Sequence, residues 1–108
     1  MSSTERIEVV SDRDPDVAEA LAIIRRYVPV PLARLWLFGS RARGDHRRWS
    51  DIDVAVDPLG PLPAGWLADV RDALAESKLW LDVYLVDLSE AGHALAAVIR
   101  REAVPWNA

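Results

Sequence analysis

Two aspartates one residue apart, Asp51 and Asp53, head a segment that reads Asp51-Ile52-Asp53-Val54-Ala55-Val56-Asp57. Polar or small residues alternate there with aliphatic ones, the mark of a strand with one face in the core. Ile52, Val54 and Val56 share the buried face, and Asp51 and Asp53 share the other. Their carboxylates, about 7 Å apart along such a strand, repel each other unless a cation sits between them. Upstream, the apolar run Leu35-Trp36-Leu37-Phe38 stops at Gly39-Ser40, and ten residues separate Ser40 from Asp51. Gly39 lets the backbone approach a phosphate with no Cβ in the way. Ser40 to Arg43 reads as a short helical turn whose N–H groups form an anion seat. Arg41, Arg43, Arg47 and Arg48 make a local basic cluster. Beside an acidic pair, such a cluster suits a metal-bound polyphosphate better than a duplex.

The elements that position these residues follow in chain order. Ile7 to Val10 reads as a short edge strand or part of a mobile arm over residues 1–13. Asp14-Pro15 opens a helix, with Asp14 as N-cap. Val17, Leu21, Ile24 and Val28 form its apolar stripe, and it ends before Pro29 and Pro31. Strand one runs from Arg34 to Phe38 and strand two from Asp51 to Val56, closed by Asp57-Pro58-Leu59-Gly60-Pro61. A helix over Pro63–Ser77 turns Trp66, Leu67, Val70 and Leu74 to one face. Strand three, Trp80 to Val86, sets Leu81, Val83 and Leu85 on one side and Asp82, Tyr84 and Val86 on the other. A last helix starts near Ser89 and runs to Glu102, with Leu95, Val98 and Ile99 as core contacts. The tail Val104-Pro105-Trp106 leaves an aromatic near the end of the chain.

A helical crossover between strands two and three implies parallel neighbours. Asp51, Asp53 and Asp82 then lie at one end of the sheet. Strand one, ending at Gly39-Ser40, meets the same end if it runs antiparallel to strand two. The expected fold is α/β (α+β), a small mixed sheet of three to four strands with helices packed against it, in a single domain over 1–108. Unpaired buried carboxylates cost several kcal/mol, so three at one mouth call for cations. Hard oxygen ligands without Cys or a well-placed His suit Mg²⁺ or Mn²⁺.

Gly39-Ser40, ten residues, then Asp51-x-Asp53 at the head of a strand resembles the signature of the DNA polymerase beta-type nucleotidyltransferase superfamily. The form GSRARG…SDIDVAV is similar to its minimal prokaryotic branch. The resemblance implies a palm-like fold with two metal ions held by Asp51 and Asp53. It makes Asp82 the third acid, helping bind the catalytic metal and drawing the proton from an attacking hydroxyl. It assigns Gly39 and Ser40 to the β and γ phosphates, with Arg41 and Arg43 neutralising their charge. It further implies transfer of AMP from ATP to a hydroxyl of a partner protein, the chain acting as antitoxin to a HEPN-type ribonuclease toxin.

Other readings stand beside this one. A binding module that neutralises its partner by contact is one; nucleotidyl transfer to an RNA end or a small molecule is another. The net charge of −4 argues against general nucleic-acid binding. A chain of 108 residues has no room for a second, acceptor-holding domain. The absence of Cys excludes disulfides and thiolate metal sites. No apolar run reaches the ~20 residues that span a bilayer, and the N-terminus lacks a signal peptide's apolar stretch, so the expected location is cytoplasmic. Trp49 is open to stacking on a nucleobase or plugging its loop onto the core. Trp66 and Trp106 are candidate exposed partner anchors. Arg47, Arg48, His46 and His93 read as solvated, and Tyr84 as packing.

Overall fold

The computed structural model describes residues 14–45, 47 and 49–106. The strand or arm expected before residue 14 lies outside them.

Helix α1, Pro15–Tyr27, starts as its sequence dictates. The Asp14 carboxylate accepts from Val17 N–H at 3.2 Å, and Pro15 takes the first turn. Its stripe is fully buried, with Ala20 and Ile23 added to Val17, Leu21 and Ile24. A single 3₁₀ turn, Val30–Leu32, leads into β1, Ala33–Phe38. A four-residue helix α2, Ser40–Arg43, follows, then β2, Ile52–Pro58. Helix α3, Trp66–Glu76, crosses over to β3, Val83–Asp87; helix α4, His93–Glu102, leads to β4, Val104–Trp106.

The sheet order is β3-β2-β1-β4. β1 pairs antiparallel with β2 and with β4, while β2 and β3 run parallel, with Ile52 opposite Val83. This is the mixed sheet expected, including the antiparallel turn at strand one. One face carries Leu35, Leu37, Ile52, Val54, Val56 and Leu85, buried under α1 and α3. The other carries Phe38, Ala55 and Val86 against Ile99 of α4. Asp51 and Asp53 therefore lie on the α4 side, at the end where β1 finishes and β2 and β3 begin.

Several boundaries differ from the sequence reading for local reasons. Helix α3 begins at Trp66 rather than Pro63, because Pro63-Ala64-Gly65 forms a turn in which Trp66 N–H bonds the Pro63 carbonyl and Gly65 takes φ +78°. Helix α4 begins at His93 rather than Ser89. The Asp87 carboxylate captures the N–H and the hydroxyl of Ser89, at 2.9 and 2.6 Å, and holds a turn there. Strand β3 begins three residues later than Trp80. Of the expected core contacts Ile99 is buried, but Leu95 and Val98 are 38% and 45% exposed; Ala96, and Ala103 just past the helix, pack beside Ile99. The tail Val104-Pro105-Trp106 forms an edge strand on β1, a position that tolerates proline. Trp66 and Trp106 are half-buried against the core, so neither is an exposed anchor. Among the described tryptophans, Trp49 and Trp80 are the exposed ones.

Candidate active site

The site is assembled by register. Asp53 lies between Phe38 of β1 and Tyr84 of β3. One step outside the ladder, Ile52 N–H bonds the Asp82 carbonyl at 3.0 Å, which ties the start of β2 to the start of β3. The backbone at Asp51, Asp53 and Asp82 thus lies at one end of the sheet. Asp51 and Asp82 are exposed there, while Asp53 is half-buried. Tyr84 also opens onto this side. It is 53% exposed, and its ring meets Phe38 edge-on at 6.4 Å.

Gly39 turns the chain out of β1 at φ +74°, the left-handed region that glycine alone enters freely. A Cβ built there would sit 2.1 Å from Asp53 Oδ2. The backbone at Gly39 and the Asp53 carboxylate are therefore packed directly together, so the glycine is required by the acid as well as by the turn. The Gly39 carbonyl accepts from the N–H groups of Ala42 and Arg43, both at 3.1 Å, which closes α2.

The two arginines expected at the phosphates part company. Arg41 is only 5% exposed and points inward. It forms an ion pair with Asp14, the N-cap of α1, and two hydrogen bonds with the Ser50 carbonyl, at 3.3 and 3.0 Å. It thus braces α2 against α1 and against the residue preceding Asp51. Arg43 is exposed and reaches Asp45 at 3.2 Å and Glu102 at 3.4 Å. Ser40 is half-buried at the start of α2. Trp49 is 65% exposed, which removes the option of a plug onto the core. Arg47 is exposed, and His93 lies exposed at the start of α4.

Sequence reasoning missed Glu102. Its carboxylate accepts from Gly39 N–H at 3.3 Å and faces Arg43. One signal was present: an acid in the last turn of a helix opposes the helix dipole, which suggests that something beyond the helix holds it.

Burial pushes the Asp53 carboxyl above its usual pKa, and the Asp51 charge pushes the same way. Arg43 pulls it back, Glu102 adds to the rise and Arg41 opposes it. A carboxylate half-removed from water beside a second one is a site with an unmet demand for positive charge. Hard oxygen donors at the head of β2 fit a small divalent cation. Among the described residues no three acidic side chains converge tightly enough to form a complete protein cage. Magnesium seldom uses such a cage, taking one or two carboxylates, waters and substrate phosphates.

A small mixed sheet with a glycine turn packed on an acidic strand head defines a nucleotidyltransferase-type palm. The polymerase beta nucleotidyltransferase family matches residues 22–104, and the chain belongs to that family. It is 31% identical over 86 residues to a probable protein adenylyltransferase, MntA, of Haemophilus influenzae, covering 78% of this chain and 75% of that protein. Among solved structures it resembles a toxin-antitoxin complex with AMP-PNP, with 31% identity and a TM-score of 0.64 over 83% of this chain and 73% of the other. It resembles equally the complex of a tri-AMPylated Shewanella oneidensis HEPN toxin with its MNT antitoxin, with 28% identity and a TM-score of 0.62 over 86% and 71% of the two chains. A minimal nucleotidyltransferase structure matches over 93% of this chain and 95% of the other, with 28% identity and a TM-score of 0.61. No helix among the described residues is long and apolar enough to cross a membrane.

Proposed function

We propose that this chain transfers AMP from ATP to a hydroxyl of a partner protein in a divalent-metal-dependent reaction, and that the partner is a HEPN-type toxin which it silences as an antitoxin. The observation that carries the reading is the contact of Gly39 with Asp53, which puts a backbone able to approach phosphate against a carboxylate short of positive charge. Asp51 and Asp53 would hold the cation, Mg²⁺ or Mn²⁺. Its chemistry is to neutralise charge on the reacting phosphates.

The chain's own groups do the rest. Gly39 and Ser40 bind the β and γ phosphates, and Arg43, with its guanidinium at the mouth, neutralises the pyrophosphate as it leaves. Asp82, exposed and beside the start of β2, takes the proton of the attacking hydroxyl. The hydroxyl oxygen bonds to the α-phosphorus as the bond to the bridging oxygen breaks, releasing pyrophosphate. Arg41 contributes by position, holding Ser50 and so the start of β2. The partner assignment is supported by the relatives: one is a probable protein adenylyltransferase, and two solved neighbours are toxin-antitoxin complexes.

Intact mass spectrometry of the co-purified partner, with and without Mg²⁺-ATP, tests this. The native chain is expected to add nucleoside-monophosphate units, and an Asp51→Asn/Asp53→Asn chain none. A partner that is inhibited yet unmodified, equally by both chains, would favour neutralisation by contact.

A further inference from the structure

Two acids that the reaction above does not use pair with Arg43, Asp45 and Glu102, and of these Glu102 also reaches Gly39. Glu102 ends α4, and the strand that follows is pinned to β1 with Val104 opposite Leu37. Continuing that register back by two residues sets Glu102 opposite Gly39. The carboxylate accepts from Gly39 N–H at 3.3 Å, and Arg43 Nη1 lies 3.4 Å from both of its oxygens. The helix itself does not favour this placement, because its C-terminal end carries partial negative charge. What holds the acid there is one backbone N–H and one guanidinium, the two kinds of donor that bind phosphate oxygens.

We infer that Glu102 occupies the seat of the nucleotide's outer phosphates in the nucleotide-free chain, and that a nucleoside triphosphate binds by displacing its carboxylate from Gly39 and Arg43. This rests on the nucleotidyltransferase reading of the mouth. The Gly39 N–H serves one strong acceptor at a time, and a triphosphate laid beside an undisplaced carboxylate meets like charge at close range. The Glu102 side chain is 28% exposed, so rotation into solvent is open to it. Strand β4 is paired through Val104, Pro105 and Trp106 and keeps its ladder as the side chain leaves. Glu102 is thus an internal competitor that sets the affinity for nucleotide.

Glu102→Gln keeps the shape of the side chain and removes its charge; Glu102→Ala removes the competitor altogether. Both are expected to lower the KM for ATP and the Kd for Mg²⁺-AMP-PNP by about fivefold to tenfold, with kcat raised by neither. In the native chain the Gly39 amide resonance should move when AMP-PNP is added, and in Glu102→Gln it should already be displaced without nucleotide. Unchanged or weaker binding by both variants, with normal binding by the native chain, overturns the competitor role and leaves the nucleotide reading standing. Failure of the native chain and both variants to bind any Mg²⁺-nucleotide overturns both.

Discussion

Arg41 and Arg43 are two residues apart and do opposite work. Arg41 is buried on Asp14 and the Ser50 carbonyl; Arg43 is exposed at the mouth. Arg41→Ala removes a buried guanidinium from both Asp14 and the Ser50 carbonyl and should cost about 3 kcal/mol of stability in urea unfolding. Arg43→Ala should stay within about 0.5 kcal/mol and instead lower transfer about a hundredfold. Gly39→Ala meets both the left-handed φ and the Asp53 oxygen, and about 1–3 kcal/mol of strain is expected from the backbone alone. Asp53 gives a pH signature. A carboxyl whose pKa is raised in the folded chain stabilises it fully below the unfolded value, and that stability is lost as pH rises through the folded value. In EDTA, the native chain should therefore lose melting temperature relative to Asp53→Asn as pH rises from the ordinary carboxylate range to neutrality, by on the order of a few degrees. Added Mg²⁺ should restore the native chain and leave the variant unmoved. Thermal melts of both chains across that range check it.

At the scale of elements, what was legible in the sequence had a strong local cause. The Asp14-Pro15 cap, the stripe of α1 and the alternation of β2 each decide themselves within a few residues and formed as read. Strand β2 nevertheless runs on through Asp57 and Pro58, expected as its closing turn, because β1 pairs them with Arg34 and Ala33. The antiparallel β1 followed from requiring its end to meet the head of β2. The misplaced features depend on tertiary neighbours. Strand β4 has three residues and a proline, too few to show a period, and exists because β1 offers an edge. Of the three bulky residues expected to seat helix α4, Ile99 does so and Leu95 and Val98 do not, because small Ala96, and Ala103 just past the helix, are what pack beside Ile99. Ile99→Ala should accordingly cost about 2–4 kcal/mol, while Val98→Ser should change stability by no more than about 0.5 kcal/mol. Chemical denaturation of the two variants separates the faces. Glu102 escaped for the same reason as β4: no motif marks it, and only the β4 register carries it to Gly39.

At the scale of the molecule, four separate stretches of chain meet at one end of one sheet. Gly39 comes from the end of β1, Asp51 and Asp53 from the head of β2, Asp82 from just before β3, and Glu102 from the end of α4. The sheet order makes this unavoidable, since β1 ends where β2 and β3 begin. The described fold places Asp53 on the sheet face that α4 packs against, and Tyr84, its neighbour on β3, is exposed. Chemistry at the α-phosphorus separates this account from phosphoryl transfer, which would use the γ-phosphorus at the same acidic mouth. The most direct measurement is label transfer to the partner from ATP labelled either at the α or at the γ phosphate, in the presence of Mg²⁺. The α label is expected to appear on the partner and to vanish with Asp53→Asn, while the γ label leaves as pyrophosphate. Transfer of the γ label, or α labelling that survives Asp53→Asn, would contradict the account.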